Sequence, residues 1–203
     1  MATMTMAPPP PALAPLPRPV YWTAEAFHDL CDAGIFRGRK VILVDGVIIE
    51  MPLPNPEHDY GVIKLNRFLM RTFDGNGCYV RNQQGFDAAL DTDPGPDLAV
   101  VPGDPEDHRH VHPTTAILVI EVANTSLAYD RGVKGHIYAA AGVPEYWVLD
   151  VIGRQLLVFR DPVADPAAPR GHRYTTALTV GPADSVSPQA AAQATVKVAD
   201  LLP

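Results

Sequence analysis

The apolar positions of this chain fall into short β-branched runs separated by stretches of helical spacing. Thr23 stands where an N-cap would, ahead of a predicted helix through Ala24–Ala33 that Gly34 would end. Two runs, Lys40–Val44 and Val47–Met51, flank Asp45-Gly46, a dipeptide that favours a two-residue hairpin turn. After a proline-rich turn at 52–56, a helix over 58–73 would place Val62, Leu65 and Leu69 on one stripe and Lys64, Arg67 and Arg71 on another. Strand-like segments are expected at Tyr79–Asn82, Phe86–Leu90 and Leu98–Val101, followed by a polar loop at 102–113. Ala116–Val122 is an almost unbroken apolar run of strand length, the pattern of a strand covered on both faces. A helix over 130–141, stopped by Gly142 and Pro144, leads to strands at Glu145–Val151 and Gln155–Arg160. Weaker strand signals follow at 172–180 and 194–198. This order predicts one mixed α/β domain over residues 21–203, with 161–203 as a peripheral extension.

Composition changes the picture mainly at the N-terminus. Seven of the 22 prolines lie within residues 1–20, a Pro/Ala-rich stretch with a single charge, expected to be a disordered tail. A chain of 203 residues, 47% hydrophobic, can build a core without covalent staples, so Cys31 and Cys78 are read as buried thiols. No apolar run approaches the roughly 18 residues that a membrane span needs. The N-terminal stretch lacks the pattern of a signal peptide, and a cytoplasmic location is expected. The net charge of −7 argues against coating nucleic acid through bulk charge. One local basic face stays open: residues 37–81 hold seven basic and five acidic side chains.

The candidate chemistry is carboxylate chemistry. Glu121 sits inside Leu118–Val122, and a buried carboxylate costs several kcal/mol unless it is paired, protonated or bound to a metal. Asp97 opens the apolar run 98–101 directly after Pro96. Adjacent strands ending in carboxylates can bring the two within about 5 Å, an arrangement suited to Mg²⁺ or Mn²⁺. Glu50, near the end of Val47–Met51, is a third candidate oxygen donor. On the 130–141 helix, Lys134, Tyr138 and Ala141 share a face, so Lys134 can point back at the end of that strand. His108, His110 and His112 alternate as strand-borne zinc ligands would, but in a polar loop. Walker A, HExxH and GxSxG patterns are absent.

Pro96-Asp97 followed by Glu121-Val122 resembles the PD-(D/E)XK phosphodiesterase motif. From about Tyr21 to Arg160 the chain resembles the Uma-two family of restriction-endonuclease-like nucleases. The resemblance is carried by residues 43–51, Pro56-Glu57-His58, 96–101, 118–122, Ser126–Lys134 and Tyr138–Trp147. It implies a restriction-endonuclease-like core, a mixed β-sheet flanked by helices, and Mg²⁺- or Mn²⁺-dependent hydrolysis of phosphodiesters, with DNA as the expected substrate. Asp97, Glu121 and the carbonyl of Val122 would hold the metal, and Glu50 would match the acid of the family's first block. Ala123 stands where the wider superfamily has its lysine, so Lys134 would take over that role. Lys64, Arg67 and Arg71, with His58 as a structural or phosphate-contacting residue, would meet the nucleic acid. The rival reading is a catalytically inactive nuclease-fold module for DNA or protein interaction, and a non-nucleic phosphoester would suit the same chemistry. A homodimer is expected, since cutting both strands takes two sites.

Overall fold

The computed structural model describes residues 18–203. The tail expected at 1–20 therefore lies outside the described residues apart from its last three, which are exposed and without regular structure. Helix α1 (Ala24–Asp32) begins as its sequence predicts, with the Thr23 hydroxyl accepting from the amide of Ala26 at 3.2 Å. Strands β1 (Lys40–Val44) and β2 (Val47–Met51) pair as an antiparallel hairpin, Lys40 opposite Met51. Its two turn residues, Asp45 (φ 51°) and Gly46 (φ 73°), both take positive φ, as a type I′ turn requires.

Helix α2 (Pro56–Phe73) is capped by Asn55, whose side chain accepts from the amide of His58 at 2.9 Å, and carries proline in its first turn. The remaining large strands form one sheet: β3 (Cys78–Asn82), β4 (Leu98–Pro102), β5 (Leu118–Ala123), β6 (Glu145–Asp150), β7 (Gln155–Ala164) and β8 (His172–Val180), neighbours in that order. Only β5 and β6 run parallel. The crossover between them is a helix over 127–140: an α-helical turn Leu127–Tyr129, a π-helical turn Asp130–Lys134 and an α-helical stretch Gly135–Ala140. This is the mixed sheet flanked by helices that the family resemblance implies.

The layers follow from strand alternation. On one face α2 and the C-terminal segment bury Val62, Leu65, Leu69, Val198 and Leu201 against Leu98, Val100, Ile120 and Val122. On the other, Tyr138 packs with Ala99, Val101, Val119, Tyr146 and Val148. The β1–β2 hairpin is clasped between α1, which meets Leu43 and Ile48, and the 127–140 helix, which meets Ile42 and Val44.

Three expectations change. Phe86–Leu90 is not a strand: Phe86 is buried, but its amide donates to Asp93 Oδ1 (3.1 Å) and the amide of Asp87 to the carbonyl of Pro113 (3.0 Å), so the segment is held as a loop. The helix expected at 130–141 starts three residues earlier and contains the π turn. Cys31 is exposed and Cys78, packed against the edge of the core, is only half-buried, so neither is the fully buried thiol expected. The extension after Arg160 is more regular than its weak signal suggested, since β7 runs on to Ala164 and β8 pairs along it.

Candidate active site

The register of β4 against β5 sets Leu98 opposite Ile120 and Ala99 opposite Val119, and continued by one residue it sets Asp97 opposite Glu121. Residues directly opposite on an antiparallel pair project from one face with Cβ atoms about 4.5–5.5 Å apart. Both carboxylates line one small cleft of about 60 Å³ at this end of the sheet, with Lys40, Asn55, His58, Ser126, Asp130 and Lys134. Asp97 is 2% exposed, and Glu121 and Lys134 are each 1% exposed.

Asp97 is held by three donors from three elements. Lys40 Nζ of β1 lies 3.2 Å from Oδ1; His58 Nε2 of α2 (3.1 Å) and the amide of Val122 on β5 (2.9 Å) meet Oδ2. Burial alone would push this carboxyl up. The His58 hydrogen bond and the charges of Lys40 and Lys134 outweigh it and hold Asp97 well below the usual carboxylate range. Asp97 in turn raises His58, against the lowering that burial imposes on the ring.

Glu121 is set differently. Its Oε1 accepts from Lys134 Nζ at 2.8 Å and from the Tyr138 hydroxyl at 2.7 Å, while Oε2 makes no hydrogen bond among the described residues. Burial pushes its carboxyl up, the Lys134 charge opposing. Lys134 is raised despite its burial, because Glu121, Asp130 and Asp97 surround the ammonium. A contact of 2.8 Å between an ammonium and a carboxylate oxygen is that of a charge-assisted pair. Lys134 Nζ also lies 3.7 Å from Asp130 Oδ1, and the Ser126 hydroxyl donates to the other oxygen of Asp130. The π turn turns Asp130 and Lys134 inward together, one turn before Tyr138.

The structure thus brings Asp97, Glu121, Val122, Lys134 and His58 into one cleft. His58 reaches it as a buried partner of Asp97. Glu50 stays outside: along β2 its neighbour Met51 lines the cleft, so Glu50 projects from the opposite face, where its half-exposed carboxylate pairs with Arg39 Nη2 at 2.6 Å. Lys64, Arg67 and Arg71 lie on the outer side of α2, none in an ion pair among the described residues. Sequence reasoning missed Asp130, and counted Lys40 only as a basic residue. Each had a readable signal: Lys40 opens the apolar run of β1 as Asp97 opens that of β4, and Asp130 stands four residues before Lys134.

The donor set fits a hard divalent cation. Two carboxylates from adjacent strands face one cleft, both side-chain hydrogen bonds of Glu121 fall on Oε1 and leave Oε2 for a ligand, and Mg²⁺ is ordinarily held through one or two carboxylates with waters completing its shell. In extended backbone the N–H and C=O of one residue point the same way, so the Val122 amide at Asp97 turns its carbonyl to that side too.

The family model of Uma2, described as "Putative restriction endonuclease", matches residues 24–197. Among solved structures, the chain is similar to one described as a putative nuclease from Anabaena variabilis, with a TM-score of 0.68 at 15% identity over 90% of this chain and 97% of that one. At that identity the likeness speaks for the fold. No curated protein matches. With a family model covering most of its length, the chain belongs to the Uma2 family of restriction-endonuclease-like proteins.

Proposed function

We propose that this protein is a metal-dependent endonuclease that hydrolyses phosphodiester bonds of nucleic acid, with DNA as its substrate. The observation that carries the reading is the pair Asp97–Glu121, opposite one another at the end of two buried strands and backed by the buried Lys134. Asp97, Glu121 and the Val122 carbonyl would hold Mg²⁺ or Mn²⁺. A divalent cation there supplies Lewis acidity, which makes water more acidic and polarises a phosphate oxygen. Lys134 holds Glu121 in place and offsets negative charge as it builds on the phosphate. Lys40 and His58 fix the Asp97 carboxylate so that one orientation faces the cleft. Water attacks phosphorus, the bond to the 3′ oxygen breaks, and that oxygen leaves with a proton, giving a 5′-phosphate and a 3′-hydroxyl. Lys64, Arg67 and Arg71 on α2 are assigned to the phosphate backbone, where contacts position the duplex without reading its sequence. Cutting both strands would engage two copies of the chain. No helix among the described residues is long and apolar enough to cross a membrane.

A specific observation favours the second reading, an inactive interaction module: each acid already has a lysine partner, at 3.2 and 2.8 Å. Calorimetry with Mg²⁺ and Mn²⁺ on the native protein, Asp97→Asn and Glu121→Gln, with DNA cleavage assayed on the same samples, decides between them. Binding and cleavage lost together in both variants support the nuclease. No metal binding at millimolar concentration would reject it in favour of the module.

A further inference from the structure

The loop 83–97 that replaces the expected strand has chemistry of its own. Asp93 is almost fully buried, and its Oδ1 accepts from the amides of Phe86 (3.1 Å) and Gly95 (3.0 Å), which fixes the carboxylate and leaves Oδ2 free to point elsewhere. Oδ2 points at α1: His28 Nε2 lies 2.9 Å away, and 3.7 Å from Asp87 Oδ1. One ligand atom from each of these three residues lies within 4.8 Å of the others. Asp87 Oδ1 is shut off from solvent yet has no hydrogen-bond partner among the described residues. Such an atom forfeits its hydration for nothing in return unless a cation or proton meets it.

A second observation concerns Gly85. A Cβ at this position would lie 2.7–2.8 Å from ring atoms of His112 and 2.9 Å from Asp93 Oδ2. Its φ is not in the left-handed region, so space and not backbone conformation calls for glycine there. The backbone is pressed between the two side chains, and nothing larger than hydrogen fits without dispersing the cluster. His112 meets the His28 ring edge-on, with centroids 4.3 Å apart, and its Nδ1 lies 3.2 Å from Arg81 Nη2. Arginine can only donate, so Nδ1 is spoken for as an acceptor, and Arg81 adds a positive charge that opposes a cation on that side.

We propose that His28, Asp87 and Asp93 form a second metal site, distinct from the Asp97–Glu121 cleft, that takes a borderline divalent cation of the Zn²⁺ type. Nε2 of His28 and one oxygen from each carboxylate are the ligands, with water completing the shell. An imidazole nitrogen beside two carboxylates selects against Mg²⁺, which prefers oxygen, and towards Zn²⁺ and its neighbours. The backbone amides on Asp93 Oδ1 are the kind of outer contact that fixes a ligating carboxylate. The site would fasten α1 to the loop that runs, four residues after Asp93, into Asp97. None of its ligands lines the candidate active site, so the proposal stands or falls independently of nuclease activity.

The test uses the full chain after removal of metals with a chelator. Co²⁺ is titrated as a spectroscopic stand-in, watching visible absorption, and Zn²⁺ by calorimetry, on the native protein, His28→Ala, Asp87→Asn and Asp97→Asn. One equivalent should bind to Asp97→Asn and raise its Tm, and the native chain should bind that equivalent as well as any the cleft takes up. Affinity should fall on the order of 10–100-fold or more in His28→Ala and Asp87→Asn. Asp87→Asn keeps the shape of a half-exposed residue, so its loss cannot be put down to misfolding if the metal-free Tm is unchanged. No equivalent bound at micromolar Zn²⁺ would overturn the proposal. So would binding that survives Asp87→Asn and vanishes in Asp97→Asn, because the ion would then belong to the cleft.

Discussion

Replacing Lys134 by methionine keeps the length of the side chain and removes its charge and its donors. In the folded protein this ammonium lies 2.8 Å from Glu121 and 3.7 Å from Asp130. The variant leaves two buried carboxylates side by side, with only the Tyr138 and Ser126 hydroxyls as side-chain donors. Breaking one side of a buried ion pair costs about 3–5 kcal/mol, and the upper end is expected here because two acids share one lysine. Glu121 can escape part of that cost by taking a proton, since burial already pushes its carboxyl up. The folded variant then binds a proton that the unfolded chain releases near pH 4.3, so its stability falls as pH rises, and the loss is larger at pH 8 than at pH 6. Glu121→Gln in the same chain removes one orphaned charge. The double variant should therefore regain about 1–3 kcal/mol relative to the sum of the single losses. Urea denaturation in EDTA at both pH values, followed by circular dichroism across the four proteins, measures the cycle. A loss below about 1 kcal/mol, the worth of a surface pair, or losses that simply add, would refute the view of Lys134 as the counter-charge of this cleft.

Three further outcomes are expected. Gly61→Ala puts a Cβ 3.0 Å from Val122 and 3.1 Å from Leu149, so these packed side chains must give by a few tenths of an ångström; the overpacking cost of about 1–3 kcal/mol should exceed the roughly 1 kcal/mol that alanine gains in a helix, and Tm should fall. Glu145→Ala removes the acceptor shared by Trp147 Nε1, Arg160 and the amide of Gln189, which ties the C-terminal segment to β6. It should cost about 3–5 kcal/mol in urea denaturation and expose residues beyond 181 to protease. In the triple variant Lys64→Ala, Arg67→Ala, Arg71→Ala, the salt dependence of duplex binding by anisotropy should flatten by about 0.9 per lost phosphate contact. An unchanged slope would take α2 out of the interface.

How far the sequence foretold this molecule depended on the range of the interaction that decides each element. The Asp45-Gly46 hairpin and the Thr23 cap rest on neighbours in the chain and were legible. Glu121 was conspicuous because a charge inside an apolar strand demands a partner, and the shared face of Lys134 and Tyr138 supplied two. Phe86–Leu90 misled because its apolar residues look like a strand, while acceptors outside the segment, the Asp93 carboxylate and the more distant Pro113 carbonyl, capture its backbone. Glu50 turned on parity: in a strand of period 2, one residue decides which face a side chain joins, and Met51 took the cleft. Lys40 was visible as a charge but not as a ligand of Asp97, since 57 residues separate the two. The π turn at 130–134 contains Gly132 and is followed by Gly135, but neither glycine distinguishes a π turn from an ordinary helical one.

The charges of the cleft bear on what it can bind. Leaving the titrating His58 aside, Asp97, Glu121 and Asp130 face Lys40 and Lys134, a formal sum of −1 in a space of about 60 Å³. A divalent cation alone would turn that sum to +1, and one phosphodiester anion beside it would return it to zero. Desolvated charge is stable only when balanced nearby, so cation and phosphate should each favour the binding of the other, and that coupling must be reciprocal. The lysines at both acids then oppose the upward push of burial on the pair and hold it in place until that balance arrives. The same arithmetic gives the inactive reading its limit: a module with no use for a cation could replace the whole buried set by apolar residues at little cost to stability.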